Sequence, residues 1–190
     1  MTYETYPVNL EKFDIDQDIL NILNDFDGVF LAGGSVRSYF DESPIHDYDL
    51  FFVNEDARDK VVKFLKENFD LKFECPNGTF HSFKTVSHDI QCIFPRPFAT
   101  LEEVIDSFDF TITQFATDGS KIVTNIESIR DMANKRLVIH KITYPGSTIK
   151  RLNKYLSYGF YASPILYRDI VRRISDHDEN IIDEELVYID

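Results

Sequence analysis

The sequence of 190 residues predicts an α+β fold: a mixed, twisted sheet with flanking helices, then a small helical extension and an acidic tail. Three observations predict it. Two short apolar segments bracket a glycine turn within residues 28–53. Three more β-rich segments follow an amphipathic helix, between residues 71 and 94. From about residue 123 the apolar spacing becomes helical. The divisions are thus residues 1–122 for the sheet-based part, 123–175 for the helical extension and 176–190 for the tail.

The elements follow in order. QDILNILNDF (17–26) has helical apolar spacing, and GVFLA (28–32) reads as a buried strand. Ser35 to Phe40 is a short helix, ended by the turn residues 41–44. Residues 47–53 form a strand, and 55–69 an amphipathic helix whose acids come first and whose Lys63 and Lys66 come later, as the helix dipole favours. Strands at 71–75, 79–86 and 88–94 follow, with Pro76-Asn77-Gly78 turning the first into the second. Thr100 and Glu103 form a capping box for a helix over 100–107. FDFTITQFA (108–116) alternates as a strand. Helices over 125–133, 147–158 and 163–175 surround a brief apolar piece, RLVIH (136–140).

With 43% hydrophobic residues, the chain is long enough to bury a sizeable core. No run of 18 apolar residues suggests a membrane span, and the first residues lack the basic-then-apolar pattern of a signal peptide. A cytoplasmic protein is expected, with Cys75 and Cys92 as free buried thiols. His46, His81 and His88 are scattered, without zinc-ligand spacing. The net charge of −13 conceals an asymmetry: −14 over residues 1–134, +8 over 135–175 and −7 over 176–190. The basic band marks where an anion could bind, although lysines and arginines also simply solvate amphipathic helices. In the acidic tail, the pairs Ile181-Ile182 and Leu186-Val187 suit docking.

The stretch LAGGSVRSYFDESPIHDYDLFF (31–52) carries the chemistry. A strand runs into Gly33-Gly34-Ser35, a helix follows, and a second strand bears Asp47 and Asp49. Backbone amides at a helix N-terminus favour a phosphate. Closely spaced carboxylates hold the metal ions of nucleotidyl transfer. Alternation puts Asp47, Asp49 and Phe51 on one face and Tyr48, Leu50 and Phe52 in the core. Two acids on an otherwise apolar strand are more than folding requires. Asp89, in VSHDIQCIF, is the candidate third carboxylate, on the same face as Ser87 and Gln91. Arg37 suits bidentate phosphate contact but could pair instead with Asp41 or Asp49. Asp109 and Thr111 share a face of the 108–116 strand, where they could reach a ribose hydroxyl or organise the carboxylates.

These pieces resemble the head domain of the CCA-adding enzymes and bacterial poly(A) polymerases, within the DNA-polymerase-β-like nucleotidyltransferases. The matching segments are LAGGSVR (31–37), DYDLFF (47–52), HDIQCIF (88–94), DFTIT (109–113) and STIKRLNKYLSYGF (147–160), in the family's order. The resemblance implies a palm-like sheet followed by a helical neck. It makes Asp47, Asp49 and Asp89 catalytic metal ligands for Mg²⁺ or Mn²⁺. It places the triphosphate of an NTP on Gly33, Gly34, Ser35 and Arg37, with Asp109, Thr111, Arg151 and Lys154 as further nucleotide contacts. Three departures stand out. Ser38 replaces an acid, Ser107-Phe108 replace arginines, and Tyr144-Pro145-x-x-Thr148 stands where the base-selecting Glu-Asp-x-x-Arg falls.

The sequence therefore predicts transfer of a nucleotide from an NTP to a hydroxyl, an RNA 3′ end by resemblance, with residues 135–175 as its basic platform. Two alternatives stand beside it. One is a binding or interaction module with a degenerate fold. The other is a toxin-like or antidefence enzyme that modifies tRNA or protein.

Overall fold

Eight strands hydrogen-bond into one mixed sheet in the computed structural model, which describes residues 2–9 and 12–175. The acidic tail, and its expected docking, lie outside the described residues. In chain order the elements are β1 (Tyr3–Pro7), α1 (Gln17–Asp25), β2 (Val29–Ala32), α2 (Gly34–Asp41), β3 (Asp47–Phe52) and α3 (Glu55–Asn68). Then come β4 (Asp70–Glu74), β5 (Phe80–Lys84), β6 (Asp89–Ile93), α4 (Leu101–Asp106), a 3₁₀ turn (Thr111–Thr113), β7 (Phe115–Thr117) and β8 (Lys121–Asn125). The extension comprises α5 (Ile126–Ala133), β9 (Arg136–Leu137), α6 (Pro145–Ser157), β10 (Tyr161–Ala162) and α7 (Pro164–Ser175). The sheet order is β1-β8-β7-β2-β3-β6-β5-β4, so β2 and β3 lie at its centre.

β3 pairs antiparallel with β2 and parallel with β6. On one face, Tyr48, Leu50 and Phe52 join the main core with Ile19 and Ile22 of α1 and Val61 and Leu65 of α3. Burying each such large apolar side chain contributes roughly 1.5–3 kcal/mol. A one-residue slip of β3 would expel all three and bury Asp47 and Asp49. The core thus fixes the direction of the carboxylates. On the other face, Phe51 packs with Phe30, Phe98 and the α4 residues Leu101, Val104 and Ile105.

Local signals set the helix ends. The Asn54 side chain accepts from the Ala57 amide at 2.8 Å and caps α3. Thr100 Oγ1 accepts from the Glu103 amide at 3.3 Å, and Glu103 Oε2 accepts from the Ala99 amide at 2.9 Å. The expected capping box therefore forms, reaching one residue further back. Cys75 and Cys92 are buried and unbonded to each other.

Two expectations need correction, and one strand carried no sequence signal. Residues 108–116 are not one strand: Phe110 makes an isolated bridge to Ile139, Thr111–Thr113 form the 3₁₀ turn, and only Phe115–Thr117 join the sheet. The apolar residues of this stretch serve two different cores, which one straight strand could not reach. Phe110 and Ile112 belong to the extension's core with Leu152, Tyr155 and Phe160, whereas Phe115 belongs to the main one. The sheet also runs past residue 122, to Asn125 at the end of β8. Finally, β8 is bordered by β1, whose exposed, weakly patterned YETYP gave no strand signal.

Candidate active site

Between the sheet and α6 lies a cleft of about 400 Å³. Its floor includes Asp47, Asp49 and Phe51 of β3, and its walls include the Gly33–Gly34 turn, Phe108, Asp109, Arg151 and Lys154. Asp47 and Asp49 are both partly exposed on the cleft face, as the alternation of β3 requires.

The glycine turn is built to meet them. Gly33 has φ +87°, a conformation side-chain-bearing residues rarely adopt. A Cβ there would stand 3.3 Å from Asp49 Oδ2 and 3.9 Å from the Phe108 ring. Its amide donates to Phe115 O at 2.8 Å, tying the turn to β7. A Cβ on Gly34, by contrast, would meet nothing within 4 Å, so that side of the turn is open to a ligand. Helix α2 starts here with no side-chain cap. Ser35 lines the cleft but is buried, its hydroxyl directed at Ala32 O at 3.5 Å.

The remaining sequence candidates divide. Lys154 Nζ lies 3.4 Å from Asp47 Oδ2. Asp109 is buried and accepts from Arg151 Nη1 at 2.9 Å and from Thr148 Oγ1 at 3.0 Å. These residues share the cleft with Asp49. Burial, and then the Asp109 carboxylate, push the Tyr155 phenol well up, so it stays neutral beside them.

Arg37, Thr111 and Asp89 are not brought to the centre in the expected way. The Arg37 guanidinium borders the cleft but is buried, 3.2 Å from Asp41 Oδ2, 5.3 Å from the Phe160 ring centre and 3.5 Å from Ile112 O. Of the two readings of Arg37, the structure shows the pair with Asp41. Thr111 faces away and donates to the buried Asp131 at 2.8 Å, because the 3₁₀ turn replaces the strand that would have aligned it with Asp109. Asp89 pairs in register with Asp47, yet its carboxylate is bound by Lys72 of β4 and does not line the cleft. The β6 residue lining the cleft beside Asp49 is Gln91, a neutral amide.

The basic band is also less open than its charge suggested. Lys135 meets Asp41, Arg136 meets Asp131, Lys141 meets Asp106 and Arg168 meets Asp169, besides the Arg151 and Lys154 pairs. Five of these acids lie outside the segment, so its +8 balance is met in part by acids folded against it.

The sequence reading missed the cleft residues Thr148, Tyr155 and Tyr158, and His46, whose ring stacks on Tyr158 at 5.0 Å. A signal was available. Thr148, Arg151, Tyr155 and Tyr158 recur every three to four residues along α6, one helical face.

The donor set can be tested against a divalent cation. Two carboxylates share a face, an ammonium already stands 3.4 Å from one of them, and Gly33 keeps a Cβ away from the other. Mg²⁺ is commonly held by one or two carboxylates together with substrate phosphates and water, so Asp47 and Asp49 fit it. Among the described residues, no group of three His, Cys, Asp or Glu is gathered to hold a metal. The three-acid set expected from sequence is not assembled.

The family model described as "Gad2: Gabija anti-defense 2 family protein" matches residues 7–135, more than half of the chain. The chain belongs to the Gad2 family. The match spans the glycine turn, β3, β6 and Asp109 and stops before α6. No curated protein matches. Among solved structures, a CCA-adding enzyme in complex with ATP has TM-score 0.67 and 16% identity, covering 96% of this chain and 50% of that one. The Thermotoga maritima CCA-adding enzyme complexed with tRNA has TM-score 0.62 and 16% identity, with 96% and 50% covered. A tRNA-processing enzyme in an apo form has TM-score 0.59 and 13% identity, with 95% and 53% covered. This Gad2-family chain thus has the nucleotidyltransferase-like fold of those enzymes and spans about half their length. Among the described residues no helix is long and apolar enough to cross a membrane.

Proposed function

We propose that this chain is a metal-dependent nucleotidyltransferase that moves a nucleotide from an NTP to a hydroxyl and releases pyrophosphate. The observation that carries the reading is the pair Asp47 and Asp49 on the cleft face of β3, directly beside the positive-φ Gly33 turn. Asp47 and Asp49 would hold Mg²⁺ or Mn²⁺, which when bound supplies positive charge for the α-phosphate and the departing pyrophosphate. The Gly33–Gly34–Ser35 backbone at the start of α2 binds the phosphates, with Lys154 and Arg151 opposite. Lys154, which pairs with Asp47, turns to the phosphates when a nucleotide enters. The hydroxyl proton passes to a carboxylate of the β3 pair.

The structural neighbours named for ATP and tRNA support the NTP and leave RNA open as an acceptor. The family description fits a version in which the modified tRNA or protein belongs to a defence system. A binding module is the second reading, favoured by one observation: the β6 residue in register with Asp49 is Gln91, a neutral amide.

A thermal melt separates the two. Ligands of the native state raise its stability by mass action, and roughly 100 Kd of free ligand adds about 2.7 kcal/mol. We expect millimolar Mg²⁺ or Mn²⁺ with an NTP to raise the melting temperature, and α-labelled NTP to leave its label on an acceptor. A melt unmoved by every NTP and metal overturns the reading; a melt that moves without transfer selects the binding module.

A further inference from the structure

The cleft has two unlike ends. One, at the start of β3, holds the glycine turn, Lys154, Arg151 and the stacked His46 and Tyr158. The other, toward the end of β3, is floored by Phe51, Ile93, Phe98 and Phe108. Phe51 meets Phe98 edge-on at 5.5 Å and Phe108 edge-on at 5.7 Å. Phe51 and Phe98 are buried in the α4 core, whereas Phe108 and Ile93 remain partly exposed to the cleft. The ring edge of Phe108 and the Asp49 carboxylate both lie within 4 Å of one point, the place of a Gly33 Cβ. An apolar, aromatic surface therefore abuts the reaction centre.

The charges at this end give a phosphate backbone little to hold. No floor residue is charged. The two rim cations are engaged: Arg96 lies over Phe98 at 4.4 Å and 3.7 Å from Glu103, and Lys141 is 3.7 Å from Asp106. His140 also binds Asp106, at 3.0 Å. RNA entering here would have to draw both cations from their carboxylates, which weakens the electrostatic term that dominates nucleic-acid affinity. A neutral ring bearing a hydroxyl fits both the floor and the rim.

We infer that the aromatic end is the acceptor subsite and that it takes a phenolic hydroxyl, the side chain of a tyrosine carried on a protein. The inference rests on the nucleotidyl-transfer reading above. The ring lies against Phe108 and Phe51, in the edge-on or offset arrangements that aromatic pairs favour. Its oxygen then projects toward Asp49. The phenolic oxygen attacks the α-phosphorus of the NTP, forming a new P–O bond. The bond from the α-phosphorus to the bridging oxygen breaks, and its electron pair leaves with pyrophosphate. The phenolic proton passes to a carboxylate of the β3 pair and then to water. The products are a tyrosyl nucleotide phosphodiester and pyrophosphate. Serine or threonine would leave the apolar floor unfilled.

The test uses the full chain with N-acetyltyrosinamide, N-acetylserinamide and a short oligoribonucleotide with a free 3′ end. Each is supplied with α-labelled NTPs and Mg²⁺ or Mn²⁺. We expect label on the tyrosine compound, with Phe108→Ala raising its KM by about tenfold or more and that of the NTP by no more than about twofold. Phe108→Tyr should restore the acceptor KM. Without NTP, saturation-transfer NMR should show N-acetyltyrosinamide contacting wild type and Phe108→Tyr but not Phe108→Ala. Should Phe108→Ala fail to fold, Ile93→Asn takes its place. Preferential labelling of the oligoribonucleotide, or tyrosinamide binding indifferent to both substitutions, overturns the subsite. If no NTP shifts the melt, the transfer reading fails by itself, and the NMR contact still decides the subsite.

Discussion

β3 and β6 are neighbouring, parallel, in-register strands, and each carries an acid at its first position: Asp47 and Asp89. One acid lines the cleft and the other does not. The difference lies in the next strands outward. Inward of β3 is β2, which ends in the glycine turn, so Gly33 sets no Cβ against Asp49. Outward of β6 are β5 and β4, and Lys72 on β4 captures Asp89. An acid's place on a strand face gives its direction, and what it meets depends on the element facing it: Lys154 of the cleft wall for Asp47, Lys72 of β4 outside the cleft for Asp89.

The strongest way to break this comparison is to remove the β3 acids. Asp47→Asn with Asp49→Asn should cost about 10³-fold or more in transfer, the range for losing a principal electrostatic stabiliser. Its far-UV circular dichroism should match wild type, because both side chains face the cleft rather than the core. Loss of the fold would assign the pair a structural role instead.

Gln91→Asp sharpens the comparison by giving β6 the acid the cleft lacks. A third carboxylate beside Asp49 adds like-charge repulsion without metal. The metal-free melting temperature should fall, and the rise on adding Mn²⁺ should exceed that of wild type. Equal rises in the two proteins would show that Gln91 does not face the bound ion.

A smaller effect tests the outer half of the sheet. His81 on β5 is buried, and its Nε2 lies 2.9 Å from Glu74 Oε1. Burial holds its pKa below the ordinary 6.5, a shift that Glu74 only partly opposes. The native state therefore takes up a proton at lower pH than the unfolded chain. The His81 contribution is fully present above pH 6.5 and is lost as pH falls from there through the folded value. Urea unfolding at pH 7.5 and 5.5 should show this loss in wild type, and His81→Gln should reduce it.

The smallest effect belongs to Asp89. Its pair with Lys72 is partly exposed, and such pairs contribute about 0–1 kcal/mol. Asp89→Asn should change stability by less than about 1 kcal/mol and transfer by less than about threefold. A collapse of transfer would show that Asp89 leaves Lys72 for the metal during turnover.

The sequence by itself determined the helices with caps, the turn at Gly33 and the alternation of β3, and with them the cleft-facing Asp47 and Asp49. All of these rest on interactions within a few residues: capping bonds, a backbone dihedral, a period of two. It did not determine what distant residues do to one another. Arg37 pairs with Asp41 one turn along its own helix, but its burial away from a phosphate depended on α2 lying beside Phe160 and Ile112. Whether Thr111 joins Asp109 depended on a chain that breaks so that Phe110 and Ile112 can fill the extension's core. The basic band looked open because a linear count cannot see Asp41, Asp106, Asp109 and Asp131 folding back onto it. Charge and apolar burial act through space, so tertiary packing decided those partnerships.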